Sequence, residues 1–197
     1  MGTRARIGRI NLSGSITSIY THWDGYPSHH LPILTRYYAT ADRLAALLAL
    51  GSLSKLAPEL GEKHDFEDRS HENWCTAHGR DRGEPKCKAS TSRNEVAFAA
   101  ACSDCWAEYA YLWDGTHWTS YEVVDQPLPH LVPLSTVQLQ QEAMQGDANP
   151  ETWLSFWTPS TNATSERSSP SLNFTTRQAT SFCLWRSQCG WCVVVYL

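Results

Sequence analysis

Six side chains able to bind, stack or titrate fall within nine residues: His22, Trp23, Asp24, Tyr26, His29 and His30. Imidazole changes charge near neutral pH and a carboxylate beside it can orient it, so His22, Asp24, His29 and His30 could bind a metal or serve as acid and base. Metal sites need three or four ligands at set spacings, and neither His-x-His nor His-Glu-x-x-His occurs here. The plainer reading is that Asp24-Gly25 is a turn whose neighbours cap and cover the helix that follows.

A second group is His78-Gly79-Arg80-Asp81-Arg82-Gly83-Glu84. Flanking glycines let backbone N–H groups approach a ligand, and Arg80 and Arg82 can grip a phosphate or carboxylate with forked donors. The segment is no P-loop, because the Gly-Lys-Ser/Thr end is missing. The alternative is that the arginines pair with Asp81 and Glu84 on a solvated loop. The third group, Cys102-Ser-Asp-Cys105, has the spacing of a zinc knuckle or a redox pair. Cys75 and Cys87 are its nearby partners, and the other Cys-x-x-Cys, at 189 and 192, is too distant for the usual zinc spacing. Unliganded, partly buried thiols are the simpler state, and no cofactor is expected.

Such groups need a frame. Residues 4–12 and 15–23 read as a hairpin turning at Ser13-Gly14, with side chains alternating from Ile16 to Trp23. Ala5 and Ile7 share one parity, Ile10 and Leu12 the other, so a bulge near Gly8-Arg9 is expected. Ser28 is placed to cap a helix over 29–39 with Pro32 in its first turn, and Thr40 to cap a second over 41–50 that Gly51 ends. A turn of helix is expected over 53–57. Residues 61–73 are polar and loop-like, and 74–78 form a third strand. Ser92-Arg-Asn-Glu95 has capping-box spacing ahead of a helix over 93–102. Asp114-Gly115 joins aromatic strands 108–113 and 116–124 in a closing hairpin.

After residue 125 the character changes. Three prolines fall within 126–133, a modest helix is possible over 134–145, residues 158–181 are rich in Ser, Thr and Asn, and an apolar end carries three Cys. The expected organisation is an α+β domain over 1–125, with an antiparallel or mixed sheet made from two hairpins and helices packed on one face. Residues 126–197 would be an irregular Pro/Ser/Thr-rich extension, partly disordered or loosely packed.

The chain has 197 residues and a net charge of −4, which argues against general nucleic-acid binding. The basic start lacks an apolar run behind it, no run approaches membrane length, and an odd count of seven Cys without an export signal implies reduced thiols. A cytoplasmic protein is expected.

Met1-Gly-Thr-Arg, Ile19-Tyr-Thr-His-Trp-Asp-Gly-Tyr-Pro27, Gly61-Glu-Lys-His-Asp-Phe66, Gly79-Arg-Asp-Arg-Gly-Glu84 and Glu108-Tyr-Ala-Tyr-Leu-Trp-Asp-Gly115 occur in that order. Over roughly residues 1–122 the chain thereby resembles a family of small uncharacterised phage and prophage proteins. The resemblance implies a phage-encoded accessory protein acting inside a bacterial host. It brings no catalytic residue, because the family has no established activity, and it extends neither to the cysteines at 102 and 105 nor to the tail.

Three functions follow as expectations. The first is a non-enzymatic binding protein whose 22–30 and 78–84 loops share one side and take a host protein or a small anionic ligand such as a nucleotide. The second is a metal-assisted phosphate-ester hydrolase using His22, Asp24, His78 and Asp81. The third is a structural or assembly protein that covers a partner with its Trp and Tyr. A shared site requires the strand ending at Trp23 to lie beside, and parallel to, the strand ending at His78.

Overall fold

In the computed structural model, residues 2–135 and 138–139 are described, together with the backbone of two strands at 183–187 and 190–194. The chain runs β1 (Ala5–Ile10), β2 (Ile16–Thr21), α1 (Pro27–Tyr37), α2 (Ala41–Ala49), β3 (Leu53–Lys55), β4 (Thr76–Ala77), α3 (His78–Asp81), β5 (Ser90–Ser92), α4 (Glu95–Asp104), β6 (Tyr109–Trp113), β7 (Trp118–Val124) and β8 (His130–Pro133).

Two hairpins, β1–β2 and β6–β7, make the centre of a mixed sheet ordered β4-β3-β2-β1-β6-β7-β8. They meet through the parallel pair β1–β6. Strand β2 is shared on its far side: β5 pairs antiparallel with Ile16–Ser18, and β3 pairs parallel at Thr21. Parallel neighbours need a crossover, and α1 with α2 supplies it. The class is α+β, as expected.

The β1–β2 register is continuous from Ala5↔Thr21 to Ile10↔Ile16, so there is no bulge at Gly8-Arg9. Both faces of the sheet are nevertheless covered. Ala5, Ile7, Ile19, Tyr111 and Trp113 face Leu31, Leu34 and Tyr38 of α1 and Leu44, Leu47 and Leu48 of α2. Ile16, Ala110 and Leu112 face Phe98, Ala99 and Cys102 of α4. Helices α1 and α2 thus share one face as expected, while α4 takes the other, and the helices are not confined to one side. Leu12 is fully exposed and Ile10 is exposed, so the Ile10–Leu12 pattern that called for a bulge buries nothing.

Helix α1 begins at Pro27 after Tyr26, two residues before expectation, so Ser28 lies inside it and Pro32 falls mid-helix rather than in the first turn. Thr40 caps α2, its hydroxyl accepting from the Arg43 N–H at 3.4 Å, and Gly51 ends it at φ 75°. The segment at 53–57 is strand β3, not a helical turn, because Leu53 bridges the β2 and β4 backbones. Helix α4 is capped by Asn94, whose side chain accepts from the Ala97 N–H at 2.9 Å; Ser92 instead closes β5. The β6–β7 loop has four residues, with Asp114 Oδ1 accepting N–H groups from Thr116 and His117, and these bonds pull the Asp114 carboxyl down to about 2.

The fold does not end at 125. Strand β8 pairs with β7, Leu131 enters the α4-side core, and Leu139 is buried against the α1–α2 core. Of the expected 134–145 helix, 134–135 are not helical, 138–139 are, and the remainder lies outside the described residues, as does the Ser/Thr/Asn-rich stretch at 158–181. Residues Met1–Pro159 and Ser160–Leu197 form separate units. In the second, β9 (Cys183–Ser187) and β10 (Gly190–Val194) form an antiparallel pair.

Candidate functional site

Strand β4 is antiparallel to β3, which is parallel to β2. The strand leading to His78 therefore runs opposite to the one leading to His22, with β3 between them, and the parallel neighbours required for a shared site do not exist. The crossover helices deliver β3 beside β2, a strand the sequence did not show.

The first group stays together at the end of β2. Asp24 takes φ 55°, and Gly25 is pressed against β1, its N–H bonding the Thr3 carbonyl oxygen at 2.8 Å and its own carbonyl oxygen accepting from Tyr111 Oη at 2.8 Å. An added Cβ on Gly25 would lie 2.8 Å from Ala5 Cβ, which is why glycine stands there. His30 is fully buried and stacked on Tyr111 with ring centroids 5.4 Å apart. Its Nδ1 lies 3.3 Å from His29 Nδ1, and its Nε2 is buried without a partner. Burial, and then the charge His29 would carry, hold His30 well below the ordinary imidazole value. Burial also lowers His29, against the Asp24 carboxylate that raises it. His22 bonds Tyr20 Oη at 2.7 Å and meets the Trp23 ring edge-on; burial, then Arg4 and His78, lower it. Trp23 and Tyr26 are exposed. This group is mostly a packed corner.

The second group divides. Arg80 donates from all five N–H positions: Nε to Asp81 Oδ1 at 2.7 Å, Nη1 to the carbonyl oxygens of Leu60 at 2.7 Å and Gly61 at 3.0 Å, and Nη2 to the Cys75 carbonyl oxygen and Asp81 Oδ2. Asp81 also accepts the backbone N–H groups of Ala77, at 2.7 Å, and His64, at 3.3 Å. Burial pushes its carboxyl upward, but these donors prevail and hold it below the usual carboxylate range. Arg80 and Asp81 are a knot that ties the 60–64 loop to β4. Neither has a bond to offer a ligand.

Arg82 points the other way. Its guanidinium lies 5.1 Å from the Phe66 ring centroid and pairs with Glu84 at 3.1 Å in the open. It borders a solvent-open cleft of about 700 Å³ lined by Lys63, His64, Asp65, Phe66, Glu67, Asp81 and Arg82. None of the 22–30 residues lines it. At its floor His64 Nδ1 contacts the Glu62 carbonyl oxygen at 2.9 Å and Nε2 contacts Thr76 Oγ1 at 3.3 Å. Beside it His71 stacks on Trp74 at 3.9 Å and 9°. His78 sits 3.5 Å from Glu84 and 5.3 Å from the Phe66 ring.

Lys63, His64 and Phe66 were absent from the sequence candidates because they sit in a stretch read as plain loop. A signal was present: residues 61–74 hold His64, Phe66, His71 and Trp74, a polar aromatic density comparable to that of 22–30. Cys102 and Cys105 lie at the end of α4, on the opposite face of the sheet from α1 and α2. Among the described residues no cluster of three or more His, Cys, Asp or Glu is placed to hold a metal ion, and no helix is long and apolar enough to cross a membrane.

Fold and site together define an α+β protein with a two-faced mixed sheet and an open polar cleft at its β4 edge. Compared with protein-family models, with curated proteins and with solved structures, the chain matches none.

Proposed function

We propose that this is a non-enzymatic binding protein whose cleft between residues 63–67 and Arg82 takes a small ligand bearing a single anionic group. One observation carries the reading: Arg82 is exposed, seated over Phe66, and shares the cleft with Lys63, while the neighbouring Arg80–Asp81 knot fixes the floor. The exposed Arg82–Glu84 pair is worth little in water, so a ligand's carboxylate or phosphate can replace Glu84. Asp65 and Glu67 in the same lining repel further negative charge, which favours a nucleoside monophosphate or a carboxylate over a polyphosphate. Binding is favoured over hydrolysis because the working groups of the hydrolase reading are engaged elsewhere: Asp81 is filled by donors, and His22 is tied to Tyr20 two strands away.

The five ordered motifs support a phage-encoded accessory role in a bacterial host; the two arginines of the fourth then divide between a structural Arg80 and a ligand-facing Arg82. Calorimetric titration with a nucleoside monophosphate and with a simple carboxylate tests the site. A charge-assisted hydrogen bond is worth roughly 1.5–3 kcal/mol, so Arg82→Ala should weaken binding about tenfold or more, with a smaller loss for Lys63→Ala. Undiminished binding by Arg82→Ala, or no binding of either probe at millimolar concentration, overturns the reading.

A further inference from the structure

Arg6 is a cation inside the protein. It is 8% exposed, on the β1 face that α4 covers. Its Nη2 donates to Ser18 Oγ at 2.9 Å and Ser90 Oγ at 2.7 Å, and its Nη1 reaches the Ala101 carbonyl oxygen at 3.4 Å and Cys105 Sγ at 3.9 Å. Its Nε is buried with no partner, and among the described residues no carboxylate lies within ion-pair distance of it. A buried guanidinium without a counterion is costly, and hydroxyls answer its donors without answering its charge.

Among the described residues the sulfur it contacts is that of Cys105, which caps α4. Trp106 after it takes φ 58°, and the Ala107 and Trp106 N–H groups close on the Cys102 and Ser103 carbonyl oxygens, a Schellman ending that fixes Cys105 in place. The Cys105 thiol donates to the Cys102 carbonyl oxygen at 3.3 Å, leaving a sulfur lone pair toward Arg6. The other described thiols are placed differently. Cys75 and Cys102 are buried, and burial pushes the Cys102 thiol up to about 12. Cys87 is partly exposed, but its neighbour is the Glu84 carboxylate at 3.8 Å.

We infer that Cys105 is a modification site, the thiol through which this chain exchanges with small disulfides, with Arg6 stabilising the charge carried by the reacting sulfurs. The Cys105 thiol loses its proton to solvent and its sulfur attacks one sulfur of the disulfide. The disulfide bond breaks as the new Cys105–sulfur bond forms, and the departing thiolate takes a proton. Cys105 is oxidised, half of the small disulfide is reduced to a thiol, and excess thiol reverses the step. Negative charge is shared among the sulfurs throughout, and a fixed guanidinium beside the attacking one acts where that charge develops. Cys102, buried and protonated, does not resolve the adduct, so the product is a mixed disulfide at Cys105 rather than a 102–105 bridge.

The test treats the full chain at pH 7 with bis(2-hydroxyethyl) disulfide, a neutral probe, and follows each cysteine by peptide mass spectrometry. Cys105 should form the mixed disulfide at least tenfold faster than Cys87. Arg6→Gln should slow Cys105 about tenfold without changing Cys87, and Arg6→Lys should restore part of the rate. Comparable rates at Cys105 and Cys87 in the unaltered chain overturn the proposal even where Arg6→Gln fails to fold. So does an Arg6→Gln chain, folded, whose Cys105 reacts undiminished.

Discussion

Arg80 donates to five acceptors drawn from Leu60, Gly61, Cys75 and Asp81, and Arg82, two positions on, faces a cleft. The difference arises because Arg80 lies within α3 and Arg82 at its C-cap, two positions apart, and residues i and i+2 of a helix do not share a face. The Asp81 side chain is wholly inaccessible, and its carboxyl sits below its ordinary range. A carboxyl depressed in the folded state contributes stability that is complete above its unfolded value, near pH 4, and that is lost as pH falls through the folded value. Asp81→Asn strands Arg80 and should lower stability at pH 7 by roughly 2–3 kcal/mol. Below pH 4 the melting temperature of the parent chain should fall toward that of the variant. Parallel melting curves from pH 7 to pH 2.5 would show that Asp81 does not carry this dependence.

At the scale of elements, the turns that matter are those where two backbones press together. Gly51 ends α2 at φ 75°, and the Ser52 N–H bonds the Cys87 carbonyl oxygen at 2.6 Å. A Cβ on Gly51 would overlap that same oxygen. Gly51→Ala combines a left-handed backbone with a backbone overlap and should cost about 2–4 kcal/mol, read from chemical denaturation. Gly14 shares the left-handed φ, at 79°, but has nothing within reach of a Cβ. Gly14→Ala should lose only about 1 kcal/mol. Equal losses at both positions would mean that the close approach at Cys87 contributes nothing.

For the whole molecule, the boundary is set by packing. Strand β8 lies beyond residue 125 yet covers the β7 edge and places Leu131 in the core. A chain stopped at 125 exposes β7 as an edge strand and removes the burial of Leu131 and Leu139, each worth roughly 1.5–3 kcal/mol. It should melt well below the full chain and aggregate on heating, while a chain stopped at 159 should melt as the full chain does. Identical melting of the 1–125 chain would return the boundary to residue 125.

Local chemistry was legible in the sequence. The two hairpins, the helix Ala41–Ala49 with its Thr40 cap and the α+β class follow from period, caps and turn residues, which act between neighbours in the chain, while the helix Glu95–Asp104 was legible without its cap, which is Asn94 and not Ser92. The site was legible in part. Arg80 and Arg82 stood out, but with one shared role as ligand-gripping arginines, and Asp81 as a working group of the hydrolase reading, because composition does not say which way a side chain points. Tertiary structure alone decided three matters. It set β4 antiparallel through a three-residue β3 too short to carry a period, and so separated His22 from His78's strand. It covered both faces of β1, which buried Arg6 on one face of the strand and Ala5 and Ile7 on the other. It drew β8 and Leu139 into the domain, because an edge pair and one buried leucine are contacts across the fold that no neighbouring residue announces.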